Sequence, residues 1–485
     1  MKIMDIEAYN YKTEPYDHQR ETLAKSAHKS LYALFLEMGL GKSKILLDNA
    51  GILFEQGKIT GLLIVSPKGN LRNWDVHEVN KHLPDHIQRN VLVWQPNHTK
   101  QWLRDYKEMV EGDSDGILNI FLVNVEAFAT VKACEFVEEF MVVHDVMMAI
   151  DESTTIKNPK AKRTKHLIKL APLADYRRIL TGFPITKAPL DLYSQCYFLS
   201  PNLLGFSSYY AFSARYAITQ ARRMGSHSFQ QIVGFQRLEE LQESIKDFSI
   251  RKTKDQCLDL PPKVYTKRYV ELTDEQKKAY GTMKQKALMV LDNEVFSTMN
   301  VLTQIMRLQQ VVAGSLRNED GETIVLKNNR VRTVLDLLEE TSDKAVIFAV
   351  FQTDIQQLEK AIAEKFGEGS VASYYGKTPQ DERQRIIDRF QDPESELRYF
   401  ISNPQTGGRG ITLTEAGTMI FYSNSYDLEL RVQAEDRIHR IGQDKSCTYI
   451  DLVSENTVDE KILQNLLSKV KISNEVLGEI RNWFK

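Results

Sequence analysis

Short apolar runs recur along the first third of the chain and alternate with amphipathic stretches. They are Tyr32–Phe35, Leu62–Val65, Ile120–Val123 and Met147–Ile150. Apolar runs of this length, bounded by polar sequence, are typical of strands that are buried on both faces. Their alternation with helical patterns predicts a parallel sheet that is covered by helices on both sides.

The same alternation returns in the second half of the chain. Its apolar runs are Ala345–Phe348, Tyr399–Ile401, Met419–Tyr422 and Tyr449–Val453. Repetition of the pattern predicts a second α/β unit with its own parallel sheet. The chain should therefore fold as two tandem α/β lobes.

Between the two series, from about residue 189 to residue 341, the sequence becomes charge-rich and helix-like. The clearest break there is Pro261-Pro262, because consecutive prolines exclude a helix and favour an extended connection. We therefore place the boundary near Pro261, with an N-terminal lobe at 1–260 and a C-terminal lobe at 261–485. Largely helical insertions are expected at about 189–250 and 265–332.

Length and composition agree with this organisation. The chain has 485 residues, more than one core of ordinary size, since domains average about 150 residues. Hydrophobic residues make up 42% and charged residues 26%, the profile of a globular protein rather than a disordered or fibrous one. The N-terminal sequence has no signal-like apolar region, and no apolar run approaches the roughly 20 residues that span a bilayer.

The net charge and the positions of the cysteines narrow the possible classes of protein further. The formal net charge is -2, so the chain lacks the global basic footprint of many nucleic-acid binders, and any phosphate contacts must come from local patches. The four cysteines, Cys134, Cys196, Cys257 and Cys447, are scattered singly, which predicts neither zinc nor disulfides. Basic patches occur at Lys157–Lys165, Arg251–Lys254 and Arg383–Arg389, where a solvated surface is the alternative interpretation.

A phosphate-binding loop is predicted between the first apolar run and the helical stretch SKILLDNAGILF. A glycine-bearing loop at a helix N-terminus lets backbone N–H groups approach phosphates, while a lysine meets the β and γ oxygens and a serine binds Mg²⁺. Leu36 occupies the first glycine position of the general pattern, so an ordinary glycine-rich turn is the alternative. The predicted ATP-binding residues of the loop are Met38, Gly39, Leu40, Gly41, Lys42 and Ser43.

A pair of carboxylates follows the apolar run Met147–Ile150. Parallel sheets deliver side chains to the ligand crevice at the carboxyl ends of their strands. Asp151 is therefore predicted to hold Mg²⁺ together with Ser43, and Glu152 to orient and deprotonate the attacking water. On chemistry alone the chain is interpreted as a P-loop enzyme that uses ATP and Mg²⁺.

The order of motifs across nearly the whole chain resembles the SWI/SNF-type ATPases of helicase superfamily two. The segment around Gln19 resembles their PYQ element, EMGLGKS resembles EMGLGKT, and DEST with IKN parallels DEAH with RIKN. LTGFP parallels LTGTP, and IRKTK with LPPK resembles the LRRTK and LPPK passage. In the second half, GGRGITLT resembles GGxGINLT, and QAEDRIHRIGQ is similar to motif VI almost letter for letter.

The resemblance implies two RecA-like lobes and assigns further residues in the first of them. Gln19 should read the adenine edge, and Thr181 and Gly182 should form the hinge that relays the nucleotide state. Thr154 and Phe183 depart from the family letters. The DNA-contacting residues that the resemblance implies here are Pro67, Lys68, Asn73, Trp74, Lys157, Asn158, Arg251 and Lys252.

In the second lobe the resemblance implies that Gly407 and Gly408 contact DNA and that Gly410 and Gln433 contact ATP. Gln433, Arg437 and Arg440 recur at three- and four-residue spacing, which predicts one shared helical face. The guanidinium groups of Arg437 and Arg440 would act as arginine fingers on the γ-phosphate. A salt-bridged surface helix is the alternative. The predicted catalytic set is Lys42, Asp151, Glu152, Arg437 and Arg440.

The resemblance implies an ATP-dependent translocase that tracks the phosphates of double-stranded DNA without processive unwinding. We expect a cytoplasmic monomer of prokaryotic or viral type, with no membrane association and with any recruiting protein unidentified. Three alternatives stay open. They are a helicase that separates or anneals strands of DNA or RNA, a nucleic-acid clamp that ATP merely switches, and an interaction subunit that depends on a partner.

Overall fold

The computed structural model describes residues 6–112, 116–224, 227–292, 298–317, 322–407 and 411–477. The chain divides into two compact units. The first contains Met1–Gln220, Ile232–Leu258 and Lys471–Lys485, and the second contains Ala221–Gln231 and Asp259–Val470. In the part that the structure describes, no helix combines the length and apolarity needed to cross a membrane.

The first unit is built on a parallel sheet of seven strands, in the order β3-β4-β2-β5-β6-β1-β9. All neighbouring strands in it pair in parallel. The strands of this sheet are β1 (Leu31–Leu36), β2 (Gly61–Ser66), β3 (Gln88–Val93), β4 (Ile117–Asn124), β5 (Val146–Asp151), β6 (Tyr176–Leu180) and β9 (Ser249–Lys252). A separate two-stranded sheet of β7 (Ala217–Met224) and β8 (His227–Phe235) is divided between the two units.

Helices cover both faces of the main sheet. Alternate residues of β1 point to opposite sides, so that Phe35 joins one apolar cluster and Leu34 joins the other, as a doubly covered parallel sheet requires. The helices are α1 (Asp17–Ser26), α2 (Lys42–Glu55), α3 (Val79–His82), α4 (Lys100–Glu111), α5 (Val131–Val143), α6 (Lys162–Leu170), α7 (Leu192–Leu199), α8 (Tyr209–Tyr216), α9 (Leu238–Ile245) and α10 (Lys254–Cys257).

A buried arginine fixes the helices that flank the predicted phosphate loop. Arg178 on β6 is fully buried, and its guanidinium donates to the carbonyls of Ser26 at 2.9 Å and Lys29 at 2.7 Å and to the side chain of Asn49 at 3.1 Å. A planar donor fork suits several acceptors at once. Arg178 thereby ties the end of α1 and the middle of α2 to the sheet.

The second unit contains a parallel sheet of six strands, in the order β10-β17-β16-β13-β15-β14. Strands β11 and β12 form a separate antiparallel pair. The bounds are β10 (Lys263–Tyr269), β11 (Ser315–Arg317), β12 (Thr323–Val325), β13 (Lys344–Phe348), β14 (Val371–Tyr374), β15 (Tyr399–Ser402), β16 (Ala416–Phe421) and β17 (Cys447–Val453).

The helices of the second unit again cover two faces, since Ile347 and Phe348 of β13 lie in different apolar clusters. Their bounds are α11 (Asp274–Asp292), α12 (Thr298–Ala313), α13 (Arg330–Glu340), α14 (Gln352–Phe366), α15 (Gln380–Gln391), α16 (Pro404–Gly407), α17 (Leu428–Glu435) and α18 (Val458–Leu477). Two parallel sheets flanked by helices confirm the predicted fold of two tandem α/β lobes.

The predicted insertions contain more strand than the sequence indicated. The segment at about 189–250 includes helices, but it also contains β7 and β8 and reaches into β9 of the main sheet. The segment at about 265–332 begins inside β10 and carries β11 and β12 as well as helices. Their polar and charged residues obscured the strand pattern, because a strand that is not covered on both faces carries no continuous apolar run.

Candidate nucleotide-binding site

The predicted phosphate loop lies between β1 and α2, as the sequence indicated. Gly39 and Gly41 adopt φ angles of 81° and 79°, a left-handed conformation that glycine tolerates at little cost. The Lys42 ammonium donates to the carbonyls of Leu36 at 3.0 Å and Glu37 at 3.4 Å. The ammonium therefore lies over the loop at the N-terminus of a helix of 14 residues, a position that favours an anionic ligand.

Gln19 closes the loop from the side of α1. Its Nε2 atom donates to the Leu40 carbonyl at 3.2 Å, and its Oε1 atom accepts the Tyr16 N–H at 3.0 Å. His18 Nε2 lies 3.0 Å from the same Leu40 carbonyl. A Cβ atom at Gly41 would lie 2.1 Å from Gln19 Nε2, so the loop and this glutamine require a glycine between them.

Asp151 ends β5 and is held by two donors. The Ser66 hydroxyl and the Trp74 indole N–H bond to its Oδ2 atom at 2.9 Å and 3.0 Å. Trp74 is only 1% exposed. Trp74 is therefore placed as a support of Asp151, and its DNA contact stays a prediction.

Glu152 follows with φ 52° and ψ 60°, a left-handed conformation that costs a non-glycine residue free energy. Strained backbone of this kind persists where the surroundings hold it, and it occurs often at active sites. Next to it, the Ser153 hydroxyl donates to Gln195 Oε1 at 2.7 Å, and Gln195 Nε2 donates to the Pro184 carbonyl at 2.8 Å. Gln195 thereby links the segment after Glu152 to the predicted hinge.

Glu78 lies near Asp151, one of the two predicted Mg²⁺ ligands. Its carboxylate accepts a hydrogen bond from Asn73 Nδ2 at 3.1 Å. Burial raises the pKa of Glu78, and the nearby charge of Asp151 raises it further, whereas the hydrogen bond from Asn73 and the charge of Lys81 oppose the rise. Asp151 and Glu78 thus place two carboxylates near one another, and carboxylate oxygens are ligands that Mg²⁺ prefers.

Thr181 and Gly182 lie directly against the phosphate loop. A Cβ atom at Gly182 would lie 3.3 Å from both the Leu36 carbonyl oxygen and the Met38 amide nitrogen. Thr181 is buried, and its hydroxyl accepts the Phe183 N–H at 3.2 Å. The structure therefore brings the predicted coupling residues into contact with the predicted ATP-binding residues.

Arg251 lies at the base of the same loop. Its guanidinium donates to the carbonyls of Phe35 at 3.1 Å and Gly182 at 2.9 Å and lies 3.5 Å from the Glu37 carboxylate. Glu37 also accepts the Lys254 N–H at 2.8 Å. Arg251 is therefore placed as an internal brace, and its DNA contact stays a prediction.

The other predicted DNA-contacting residues of the first unit differ in exposure. Lys68 and Asn158 are exposed, whereas Pro67 is buried. Lys157 Nζ donates to the Thr186 hydroxyl, Lys252 pairs with Glu21, and Asn73 bonds to Glu78 as described above. The structure does not gather these residues around one ligand, and their contact with DNA stays a prediction.

In the second unit Gly407 is buried, and a Cβ atom there would lie 2.3 Å from the Ser402 hydroxyl oxygen. Gly408 and Gly410 lie outside the described residues. The following segment is fixed to motif VI, because Leu413 N donates to the Arg437 carbonyl at 2.9 Å and Gln443 Nε2 donates to the Ala416 carbonyl at 2.9 Å. The two predicted motifs of this unit are therefore hydrogen-bonded to one another.

The predicted helical face of motif VI is wrong in one respect. Helix α17 ends at Glu435, so Gln433 lies in the helix while Arg437 and Arg440 follow it in turns. Arg437 is 6% exposed, and its guanidinium donates to the carbonyls of Gln433 and Ile411, both at 2.9 Å. The side chain of Arg437 thus replaces helical hydrogen bonding at the helix end, and its catalytic role stays a prediction.

Sequence reasoning missed Ser66, Glu78 and Gln195, and it missed the bracing position of Arg251. Glu78 had a usable signal, because it lies four residues after Trp74, which the resemblance names among the DNA-contacting residues. Ser66 and Gln195 carry no such signal, since their partners are 85 and 42 residues away in sequence.

Comparison with protein families gives two matches that follow one another along the chain. The SNF2-related domain matches residues 23–315, and the helicase conserved C-terminal domain matches residues 327–442. The first match alone covers more than half of the chain. The phosphate loop and Asp151 fall in the first match, and motif VI falls in the second.

Individual relatives agree with the family matches. The chain is 26% identical over 476 residues to chromatin remodeling factor mit1 of Schizosaccharomyces pombe, covering 92% of this chain and 31% of that protein. It is 27% identical over 461 residues to SWI/SNF-related matrix-associated actin-dependent regulator of chromatin subfamily A member 1 of Homo sapiens, covering 92% and 41%. A Mycoplasma genitalium protein named as an ATP-dependent helicase is 26% identical over 455 residues, covering 93% and 40%.

The chain thus spans less than half of the length of these curated relatives. Among solved structures, the Sulfolobus solfataricus SWI2/SNF2 ATPase core in complex with dsDNA is 25% identical. That comparison covers 99% of this chain and 97% of the other, with a TM-score of 0.44.

Proposed function

The chain belongs to the SNF2-related family of helicase-like ATPases, and from this premise we propose that it is a motor that hydrolyses ATP to move along double-stranded DNA. The observation that carries the proposal is that Lys42 and Ser43 follow β1 while Asp151 and Glu152 stand at the end of β5, so all four lie at the same edge of one parallel sheet. These residues supply a phosphate-binding cation, metal-binding oxygens and a general base.

ATP would bind with its phosphates at the N-terminus of α2, where the Lys42 ammonium would exchange the carbonyls of Leu36 and Glu37 for phosphate oxygens. Ser43 and Asp151 would hold Mg²⁺, which neutralises charge on the phosphates. Glu152 would orient the attacking water and take its proton. In the second lobe, Arg440 is the proposed arginine finger, a group that acts on transition-state charge.

DNA is the proposed track because the family relatives include chromatin remodeling proteins and because basic side chains occur in local patches. Contacts to phosphates carry no sequence information, so the motor would move on DNA of any sequence. Lys68 and Asn158 are the exposed members of the predicted DNA-contacting set. Recruitment to a particular target would then depend on a partner.

The test compares ATP hydrolysis with duplex DNA, single-stranded DNA and RNA. We expect duplex DNA to stimulate hydrolysis most, and we expect displacement of a third strand from a DNA triplex without separation of the duplex strands. Lys42→Ala should abolish hydrolysis, since it removes the cation that meets the phosphates. Lys58→Ala is the matched control, because Lys58 is an exposed lysine beyond the opposite end of the same helix.

Each alternative gives a different result. Stimulation by RNA or single-stranded DNA together with strand separation would indicate a conventional helicase. Binding of DNA that depends on ATP, without steady-state hydrolysis, would indicate a clamp. Normal hydrolysis by Lys42→Ala would mean that the ATP site is misplaced.

A further inference from the structure

A fully buried hydrogen bond lies directly behind the predicted general base. Ser153 and Gln195 are both 0% exposed, and the Ser153 hydroxyl donates to Gln195 Oε1 at 2.7 Å. Ser153 follows Glu152 in the chain, whereas Gln195 lies in α7. Because both side chains are buried, water cannot replace a partner that is removed from this contact. The segment after Glu152 is therefore tied to α7.

The side-chain amide of Gln195 is engaged at both of its polar atoms. Its Nε2 atom donates to the Pro184 carbonyl at 2.8 Å and to the Asp191 carbonyl at 2.7 Å. A glutamine amide offers one acceptor oxygen and two N–H donors, so these contacts use both donors. If the oxygen and nitrogen were exchanged, the amide oxygen would face two carbonyl oxygens, neither of which can donate. Gln195 therefore presents its oxygen to Ser153 in one fixed direction.

The loop on the other side of Gln195 is closed by its own hydrogen bonds. Asp191 Oδ2 accepts the backbone N–H groups of Thr186 at 2.9 Å and Lys187 at 2.8 Å. Pro184 ends the predicted hinge LTGFP, and this loop follows it directly. Gln195 thus connects the segment after the predicted base to the hinge and to a loop that its own carboxylate holds in shape.

The predicted base itself has a strained backbone. Glu152 has φ 52° and ψ 60°, a conformation that costs a non-glycine residue free energy. On one side of it, the Asp151 carboxylate accepts two hydrogen bonds. On the other side, Ser153 donates to Gln195. Strain of this kind persists only where the surroundings over-determine it, and these two contacts hold the chain on either side of Glu152.

We propose that Gln195 is a positioning residue for the general base, which acts through the Ser153 hydroxyl to hold the backbone of Glu152 and to align it with the hinge at Pro184. The inference rests on the proposed function, because it concerns the same hydrolysis of ATP. A carboxylate that takes a proton from water must lie within hydrogen-bond reach of that water. Loss of the contact between Ser153 and Gln195 is therefore expected to slow hydrolysis rather than to weaken ATP binding.

The experiment measures single-turnover ATP hydrolysis and ATP affinity of the full chain with saturating duplex DNA. Ser153→Ala removes the hydroxyl donor, and Gln195→Met replaces the amide with an apolar group. Each variant should slow hydrolysis by about 10- to 100-fold, since a displacement of about 1 Å costs up to about 100-fold. ATP affinity should change by less than about twofold, because a group that is used only in the transition state adds nothing to ground-state binding.

A second background separates positioning of the base from a general structural role. Glu152→Gln removes the base, so a residue that acts only through Glu152 has nothing left to position. In this background, Ser153→Ala and Gln195→Met should lower the residual rate by less than about twofold further, as expected of residues that act as one unit. A general loss of structure would instead lower the rate by the same factor in both backgrounds.

Gln276→Met is the matched control. Gln276 is 1% exposed, and its Nε2 atom donates to the carbonyls of Val311 at 2.9 Å and Val312 at 3.1 Å. It lies in α11 of the second unit. The substitution removes a buried amide that donates to two carbonyls, as Gln195→Met does, so both variants should lower the melting temperature. Only Gln195→Met should slow single-turnover hydrolysis.

The outcomes separate the two proposals. If the unmodified chain hydrolyses no ATP with duplex DNA, the proposed function fails and the inference fails with it. If it hydrolyses ATP and neither Ser153→Ala nor Gln195→Met slows the reaction, only the inference fails. An equal loss of rate with and without Glu152→Gln, or an equal loss in Gln276→Met, would also overturn the inference. If Gln195→Met does not fold, Ser153→Ala, which removes a single oxygen atom, decides.

Discussion

Replacement of Arg251 tests whether this residue braces the phosphate loop or contacts DNA. Arg251→Ala removes two hydrogen bonds from a charged donor to the carbonyls of Phe35 and Gly182. Hydrogen bonds to charged groups contribute about 1.5 to 3 kcal/mol each, so two at the lower value give about 3 kcal/mol. The Arg251 side chain is 13% exposed, so in the variant few water molecules can replace the lost hydrogen bonds to the two carbonyls.

The neighbouring residue provides the comparison. Lys252 pairs with Glu21, and the two side chains are 20% and 42% exposed. An exposed ion pair contributes about 0.2 to 1 kcal/mol. Lys252→Ala should therefore leave the free energy of unfolding of the first unit nearly unchanged, although it removes the same formal charge as Arg251→Ala.

The assay is urea denaturation followed by tryptophan fluorescence, since Trp74, Trp94 and Trp102 are buried in the first unit. With a slope of about 3 kcal/mol per M urea, the loss at Arg251 corresponds to a midpoint about 1 M lower. DNA binding is measured in parallel as a function of salt. An unchanged midpoint, together with a salt slope reduced by about 0.9, would identify Arg251 as a phosphate contact and refute the bracing argument.

Three further predictions concern the remaining charged groups of the site. Glu152→Gln should keep ATP affinity but lose hydrolysis, because an amide takes no proton from water. Asp151→Asn should instead weaken Mg²⁺-dependent binding of ATP. Equal ATP affinities of the two variants would contradict these roles. Arg440→Ala should keep nucleotide affinity while the rate of single-turnover hydrolysis falls about 10³-fold. Arg437→Ala should instead lower the melting temperature, since it removes buried hydrogen bonds to two carbonyls. Equal melting temperatures of the two variants would contradict this assignment. Burial lowers the pKa of His82 to about 4, so the unfolded chain binds more protons and stability should fall as the pH falls from about 6.5 to about 4. His82→Gln should flatten that part of the melting profile, and an unchanged profile would argue against it.

The sheets were predictable because their strands are buried on both faces. The runs Leu62–Val65 and Ala345–Phe348 carry a continuous apolar signal, and both form central strands. Strands β7 and β8 carry no such run, so their sequence was interpreted as part of a helical insertion. A strand is therefore predictable from its sequence when it carries the continuous apolar run that burial on both faces requires, and β7 and β8 carry no such run.

The site was predictable where its residues are adjacent in sequence or follow a strand. The loop around Lys42 and the carboxylate Asp151 lie where the pattern of strand and loop places them. The contacts of Trp74 with Asp151 and of Arg437 with Ile411 were not predictable, since only the folded chain brings these partners near. An indole N–H 77 residues from its carboxylate carries no periodic signal, and a helix end capped by its own arginine looks like a continuing helix.

The contacts around the phosphate loop also bear on the departures from the family letters. Thr154 and Phe183 stand where the resembling motifs carry histidine and threonine. The links between this region and the loop use backbone atoms instead, because Gly182 approaches Leu36 and Met38 through its main chain and offers its carbonyl to Arg251. A displacement of the loop by bound phosphates would press on Gly182 whatever side chain follows it. We therefore expect the relay from nucleotide to hinge to depend on Gly182 and Arg251.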